Sequence, residues 1–320
     1  MNTLSSTNVE VQKIQAIALT VTDADRSLDF YTKALSFEPV SDITVEGQNY
    51  SDLEGVANAK IRIVTLQLGD ELIRLMEYCN VKGKPIPKDS RSNDLWFQHL
   101  AIVVNDMGLA CAHLQTFPIE AISTQPQTIP PGNASAGVQA FKFKDPDGHD
   151  LELICFPPDK GKDKWHQNTD RLFLGIDHSA IAVANTENSL NFYRDLLGMQ
   201  IDGGSCNWRE TQSRLDNLPG AKVRITDLAT AQSGAGIELL DYITPENGRP
   251  IPNDSKSYDV ATMQVEIVVK DIEQAVNTLR QNGVEFVSSR LVQFSNGSSP
   301  YRQGCLVKDP NGHTLLLIAH

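Results

Sequence analysis

The sequence predicts an α+β protein built from four tandem β-α-β-β-β units. Three long-range repeats and one alternating pattern predict it. Ser27-Leu-Asp-Phe-Tyr31 returns 162 residues later as Ser189-Leu-Asn-Phe-Tyr193. Lys144-Asp-Pro-Asp-Gly-His149 returns 164 residues later as Lys308-Asp-Pro-Asn-Gly-His313, and Gly83-Lys-Pro-Ile-Pro returns as Gly248-Arg-Pro-Ile-Pro. The chain is therefore two similar halves, each the size of one domain. Within each half, short alternating strands frame one amphipathic helix, twice over.

The first unit opens on the strand Ile14–Val21, rich in β-branched and apolar residues. Asp23 follows as an N-cap, and Leu28, Tyr31 and Leu35 carry helical spacing through Ser27–Leu35. Lys60–Gln67 and Glu71–Tyr78 read as strands about a Gly69-Asp70 turn. The second unit repeats the order: strand Phe97–Val104, helix Met107–Thr116, strand Gln139–Lys144, an Asp-Pro-Asp-Gly turn, and strand Asp150–Phe156. Units three (Gly175–Tyr242) and four (Ala261–Ile318) match. The expected division is a tail over 1–13, a first domain over 14–156 with modules 14–80 and 96–156, and a linker over 157–172. The second domain is 173–320, with modules 174–243 and 260–319. A lone unit of this kind leaves one sheet face bare, so units must pair.

Composition excludes several functions. A net charge of −12 without a basic cluster argues against nucleic acid and anionic membrane as partners, because phosphate binding needs Lys/Arg patches. No apolar run reaches the ~18–20 residues of a membrane helix, and the polar start lacks the apolar segment of a secretory signal. Five scattered cysteines, none in a CxxC pair, read as free thiols in a reducing cytoplasm. A small-molecule substrate remains the expected partner, for a monomer or homodimer.

Four strand–helix–strand–strand units, with the Ser-Leu-x-Phe-Tyr helix and the Asp-Pro-x-Gly-His turn once in each half and a Leu-Glu-Leu strand, resemble the vicinal oxygen chelate superfamily. Glyoxalase I, extradiol dioxygenases and the bleomycin resistance proteins belong to it. The resemblance runs from Ile14 to Ile318 and implies two curved, mostly antiparallel half-barrel sheets with helices outside. His149 and His313, inside the turn motif, read as structural. The resemblance also implies two ligand positions per unit, on its first and last strands. Those positions hold Ala16 and Arg74, His99 and Glu152, His178 and Glu238, and Gln264 and Leu316. Ligating side chains are thus confined to the two central units. A complete set, His99, Glu152, His178 and Glu238, arises only if unit two pairs with unit three. Two imidazoles and two carboxylates suit one hard or borderline divalent ion, among Zn, Ni, Co, Mn and Fe(II).

The resemblance implies a glyoxalase-I-like isomerase or lyase, in which the ion stabilises an enediolate and Glu152 or Glu238 moves the proton. An extradiol-type dioxygenase using Fe(II) or Mn(II) is the rival enzyme. A metal-free binding or resistance protein is the reading from another class, and the complete ligand set counts against it. In the outer pair, Arg74 is either an anion clamp or a scaffold residue ion-paired to a neighbour.

Overall fold

The structure, a computed structural model, describes residues 9–295 and 299–320; the first eight residues of the expected tail lie outside the described residues. The first unit contains β1 (Val11–Val21), α1 (Ala24–Leu35), β2 (Glu38–Glu46), α2 (Gln48–Glu54), β3 (Lys60–Leu68) and β4 (Glu71–Tyr78). The second contains β5 (Gln98–Val104), α3 (Met107–Leu114), β6 (Glu120–Ala121), β7 (Gln127–Thr128), β8 (Gln139–Lys144) and β9 (Asp150–Cys155). The third holds β10 (Phe173–Val183), α4 (Thr186–Leu190) running into a π-helical turn, β11 (Gln200–Asn207), α5 (Arg209–Leu215), β12 (Lys222–Ala229) and β13 (Gly236–Thr244). The fourth holds β14 (Met263–Val269), α6 (Ile272–Gln281), β15 (Val292–Gln293), β16 (Gln303–Lys308) and β17 (Thr314–Ala319). Two strands escape the alternation pattern. β2 is almost wholly exposed at a sheet edge, and β11 is largely so, so neither needs a buried apolar face to mark it.

The units pair outer with outer and inner with inner. One sheet runs β15-β16-β17-β14-β1-β4-β3-β2, and the other runs β11-β12-β13-β10-β5-β9-β8-β6, with β7 on β8. Each sheet therefore takes one unit from each half of the sequence. The central joints, β1–β14 and β5–β10, are antiparallel, whereas first and last strands within a unit run parallel. Side-chain alternation then divides each strand between two environments. Ile17, Leu19 and Val21 of β1 enter the large core that also receives the helices, while Ala18 faces the opposite trough. No described helix is long and apolar enough to cross a membrane, and all five cysteines are unpaired.

The repeated motifs join units within each half. The Tyr31 hydroxyl donates to Asp145 Oδ2 at 3.1 Å, and the Tyr193 hydroxyl to Asp309 Oδ2 at 3.1 Å. Each aspartate's other oxygen accepts two backbone N–H groups of its own turn, from Asp147 and His149 or from Asn311 and His313. The connectors cross reciprocally: Val260 N donates to Lys84 O, and Leu95 N to Arg249 O. Glycine is required there, because a Cβ on Gly83 would stand 1.8 Å from Tyr258 O and one on Gly248 1.9 Å from Asn93 O.

His149 is buried with Nδ1 2.9 Å from Asp145 Oδ2 and Nε2 2.9 Å from Val260 O. Both neighbours are acceptors, so both ring nitrogens must donate and the imidazole is a cation. Burial opposes that charge, but the Asp145 carboxylate outweighs it and pushes the pKa up to about 9. The folded-state value exceeds the unfolded 6.5, so the stabilisation is complete below about 6.5 and disappears as pH rises through about 9. Urea melts of wild type and His149→Gln should therefore differ most near about pH 6 and converge by about pH 10. A gap independent of pH would contradict the cationic assignment.

Candidate metal centre

The inner sheet brings together the two histidines because β5 and β10 are neighbours at its centre. Their register opposes His99 to Ala180 and His178 to Ala101. The flanking parallel strands oppose Glu152 to Ala101 and Glu238 to Ala180. Each large polar side chain thus has an alanine beside it on the next strand, where the imidazoles and carboxylates can lean inward. Ala101 and Ala180 belong to two separate apolar patches of the same trough, one around Val103, Ile154 and Trp165 and one around Phe97, Leu240 and Tyr242.

His99 Nε2 lies 3.0 Å from Glu152 Oε2, and His178 Nε2 lies 3.9 Å from the same oxygen. Glu238 Oε2 is 3.3 Å from His178 Nε2. Ligand atoms of His99, Glu152 and His178 all fall within 4.8 Å of one another. Both nitrogens of His99 and Nε2 of His178 are buried without a hydrogen-bond partner, the short His99–Glu152 approach being out of line for one. Such atoms are expensive to bury unless a cation lies between them. The spacings match the ~3.4 Å between neighbouring donors on a tetrahedral ion with ~2.1 Å bonds. The donor set fits a divalent ion. Glu238 stands apart from the compact trio and reaches it through His178.

Electrostatics separates the four groups. Burial pushes the His99 pKa down to about 4, so this imidazole is neutral and able to ligate. Burial acts the same way on His178, but Glu238, Asp177 and Glu152 reverse it and push the pKa up to about 9. Burial would raise Glu152, and the neighbouring imidazoles and Lys142 override it, keeping the carboxylate ionised. Glu238 goes the other way, up to about 8, through burial and repulsion from Asp227 and Glu152, against the pull of His178.

His178 and Glu238 line a cleft of about 940 Å³, shared with Asp177, Asp227, Lys162 and Lys164. The last two come from the linker, whose charges therefore face the site. The buried Lys142 ammonium, opposite Glu152 on β8, pairs with Asp216 Oδ1 at 2.7 Å. Sequence reasoning passed over Lys142, although a lysine among the apolar residues of β8 was a visible signal. Asp177 and Asp227 carried no periodic signal of their own.

Among the described residues, the outer trough holds no counterpart. Arg74 Nε lies 2.7 Å from Glu266 Oε1 and its Nη1 donates to Thr65 Oγ1 at 2.8 Å, all three residues being buried. Of the two readings of Arg74, the ion pair to a neighbour is the one this geometry supports, its charge being paired with Glu266 inside the protein. Ala16 and Leu316 are buried, and Gln264 Nε2 donates to Glu54 Oε2 at 2.8 Å. Glu266 was missed because it sits two residues beyond Gln264 on β14, opposite Ala16. Tyr50 and Leu53 of α2, with Phe294 and Tyr301, fill this trough with apolar mass. Arg74→Met should cost about 3–5 kcal/mol by leaving Glu266 charged and unpaired, and adding Glu266→Gln should recover most of it in denaturant melts. An Arg74→Met protein as stable as wild type would contradict the ion pair's structural role.

The model of the Glyoxalase/Bleomycin resistance protein/Dioxygenase superfamily matches residues 13–153 and 175–317. Glyoxalase I from Zea mays superposes with a TM-score of 0.63 at 14% identity, covering 96% of this chain and 92% of that one. A structure titled "putative dioxygenase" from Bacillus subtilis subsp. subtilis str. 168 gives a TM-score of 0.57 at 13% identity, covering 97% and 86%. At these identities the likeness speaks for the fold alone. No curated protein matches the sequence. The family model spans both halves of the repeat, and the residues it matches include His99, Glu152, His178 and Glu238. The chain belongs to the Glyoxalase/Bleomycin resistance protein/Dioxygenase superfamily.

Proposed function

We propose that the protein is a divalent-metal-dependent enzyme, a glyoxalase-I-like isomerase or lyase acting on a small oxygenated substrate. The observation that carries this reading is the buried trio His99, Glu152 and His178, with imidazole nitrogens that no protein group satisfies. These three residues would hold the ion, and Glu238 would complete the set from the cleft side. A bound divalent ion would supply Lewis acidity to adjacent substrate oxygens. Glu152 is enclosed between the two imidazoles, which suits a permanent ligand. Glu238 lines the cleft, with about a fifth of its side chain exposed, so it is the carboxylate placed to take a proton from one substrate carbon and return it to the next. The apolar patches on either side would exclude water from the carbanionic species so formed.

One observation favours a second reading. Two histidines and one carboxylate make a compact trio without Glu238, which is the ligand pattern of Fe(II) oxygenases. An extradiol-type dioxygenase with Fe(II) or Mn(II) would use His99, His178 and Glu152 and leave Glu238 free. A metal-free binder has no use for the unpaired imidazole nitrogens, so that reading is set aside.

Purified protein should carry about one equivalent of divalent metal per chain, measured by elemental analysis, because among the described residues only the inner sheet offers a donor set. Two equivalents would mean that the outer trough also binds. His99→Ala and His178→Ala should each lose the metal; retention in both would defeat the assignment. Glu238→Gln separates the two enzymes. Isomerase or lyase turnover should fall by about 10²–10⁴ with metal retained, whereas O₂ uptake with a catechol should survive the substitution. Activity should be screened with Ni, Zn, Mn and Fe(II) in turn.

A further inference from the structure

We infer that Asp177, the extra residue of a β-bulge, is a positioning residue that fixes the tautomer and orientation of His178. The inference rests on the metal-binding reading of His178 and deepens it. Along β10, Ile176 pairs with Ile102 and His178 with Ala101, so Asp177 has no partner across the ladder. A bulge of this kind breaks strict alternation and re-aims the side chains beside it. Asp177 Oδ2 consequently lies 3.1 Å from Nδ1 of its own neighbour, His178. An ionised carboxylate can only accept, so Nδ1 carries a proton, which leaves Nε2, aimed at Glu152 and Glu238, as the nitrogen for a metal ion.

The linker holds that carboxylate in place. Trp165 Nε1 donates to Asp177 Oδ1 at 3.0 Å, and Lys162 Nζ lies 3.1 Å from the same oxygen. Lys162 also donates to Gly234 O at 2.9 Å, joining the linker to the loop before β13. The bulge itself is pinned from the outer sheet, where Glu71 Oε2 accepts Ile176 N at 3.2 Å while its other oxygen pairs with Lys164. Gly175 admits this arrangement, since a Cβ there would meet Glu71 at 2.6 Å and the Trp165 ring at 2.8 Å. His99 has no such support, because its Nδ1 has no hydrogen-bond partner among the described residues.

The repeat supplies an internal control. β1 carries the same bulge, with Ile14 opposite Ile267 and Ala16 opposite Glu266, leaving Gln15 as the extra residue. Gln15 stands 162 residues before Asp177, as Ala16 does before His178. The carboxylate occupies the bulge in the sheet where a histidine follows it, and a neutral amide occupies it where alanine does.

The test uses the full chain, Zn(II) and a competing chromophoric chelator. Asp177→Leu should weaken Zn(II) binding about 10–100-fold, and Asp177→Asn, whose amide oxygen still accepts, should lose far less. Long-range ¹H–¹⁵N spectra of the metal-free chain, taken at a pH where the imidazole is neutral, should place the His178 proton on Nδ1 in wild type and in Asp177→Asn, and divide it between the two nitrogens in Asp177→Leu. Affinity within about twofold of wild type and an unchanged tautomer in Asp177→Leu would overturn the inference while leaving the metal centre standing. Wild type that binds no Zn(II), Ni(II) or Fe(II) would overturn the metal centre itself, and this role with it. Should Asp177→Leu fail to fold by circular dichroism, Trp165→Phe removes one donor to the carboxylate; a loss of about threefold or more is expected, and none would count against the assignment.

Discussion

The antiparallel joint between β5 and β10 is the contact on which the site depends. Histidines 79 positions apart in the chain become neighbours because those two strands exchange backbone hydrogen bonds with His99 opposite Ala180 and His178 opposite Ala101. A slip of one residue would turn both imidazoles into the helix-bearing core and replace them with leucine and serine. Register is held against that slip by the apolar residues on the other face, Leu100, Ile102, Ile176 and Ile181, which are buried together. The polar centre is therefore positioned by an apolar core that lies behind it.

The four units close into a ring of contacts. Strand ladders join unit one to four and unit two to three. The Tyr31–Asp145 and Tyr193–Asp309 hydrogen bonds join one to two and three to four. Each unit is thus bound to two others by different means, one through backbone pairing and one through a buried tyrosine–aspartate contact. The crossing connectors, with their close-packed glycines, fasten the same ring at the units' ends. This explains why Ser-Leu-x-Phe-Tyr, Asp-Pro-x-Gly-His and Gly-x-Pro-Ile-Pro recur in both halves although none of them touches the candidate metal centre.

One scaffold has received two fillings. In the outer trough, Arg74 and Glu266 neutralise each other and aromatic residues from α2 and the β15–β16 segment pack over them. In the inner trough, two imidazoles and two carboxylates face one another across a centre that protein atoms leave unsatisfied. The outer arrangement satisfies its charges internally and needs nothing more. The inner one leaves buried imidazole nitrogens without a hydrogen-bond partner among the described residues.

Much of this was legible in the sequence. Repeat spacing showed the halves, alternation showed most strands, and the placement of His99, Glu152, His178 and Glu238 in the central units implied which units must meet. The first two signals are local or periodic and follow from side-chain identity alone, whereas the ligand positions are what the resemblance to the superfamily implies. The exposed strands β2 and β11 were not legible, since an edge strand in water imposes no alternation. Nor were Glu266 opposite Arg74, the buried Lys142–Asp216 pair, or Asp177 beside His178. Each depends on which residues of distant segments end up within ~3 Å of one another, and on a single inserted bulge residue. The chain's pattern determined the four units and most of their strands, and the resemblance that the pattern carries pointed to the side chains of a polar centre. Only the folded sheet decided which carboxylate is enclosed, which faces the cleft, and which histidine is held from behind, because burial and hydrogen-bond direction are properties of three-dimensional packing.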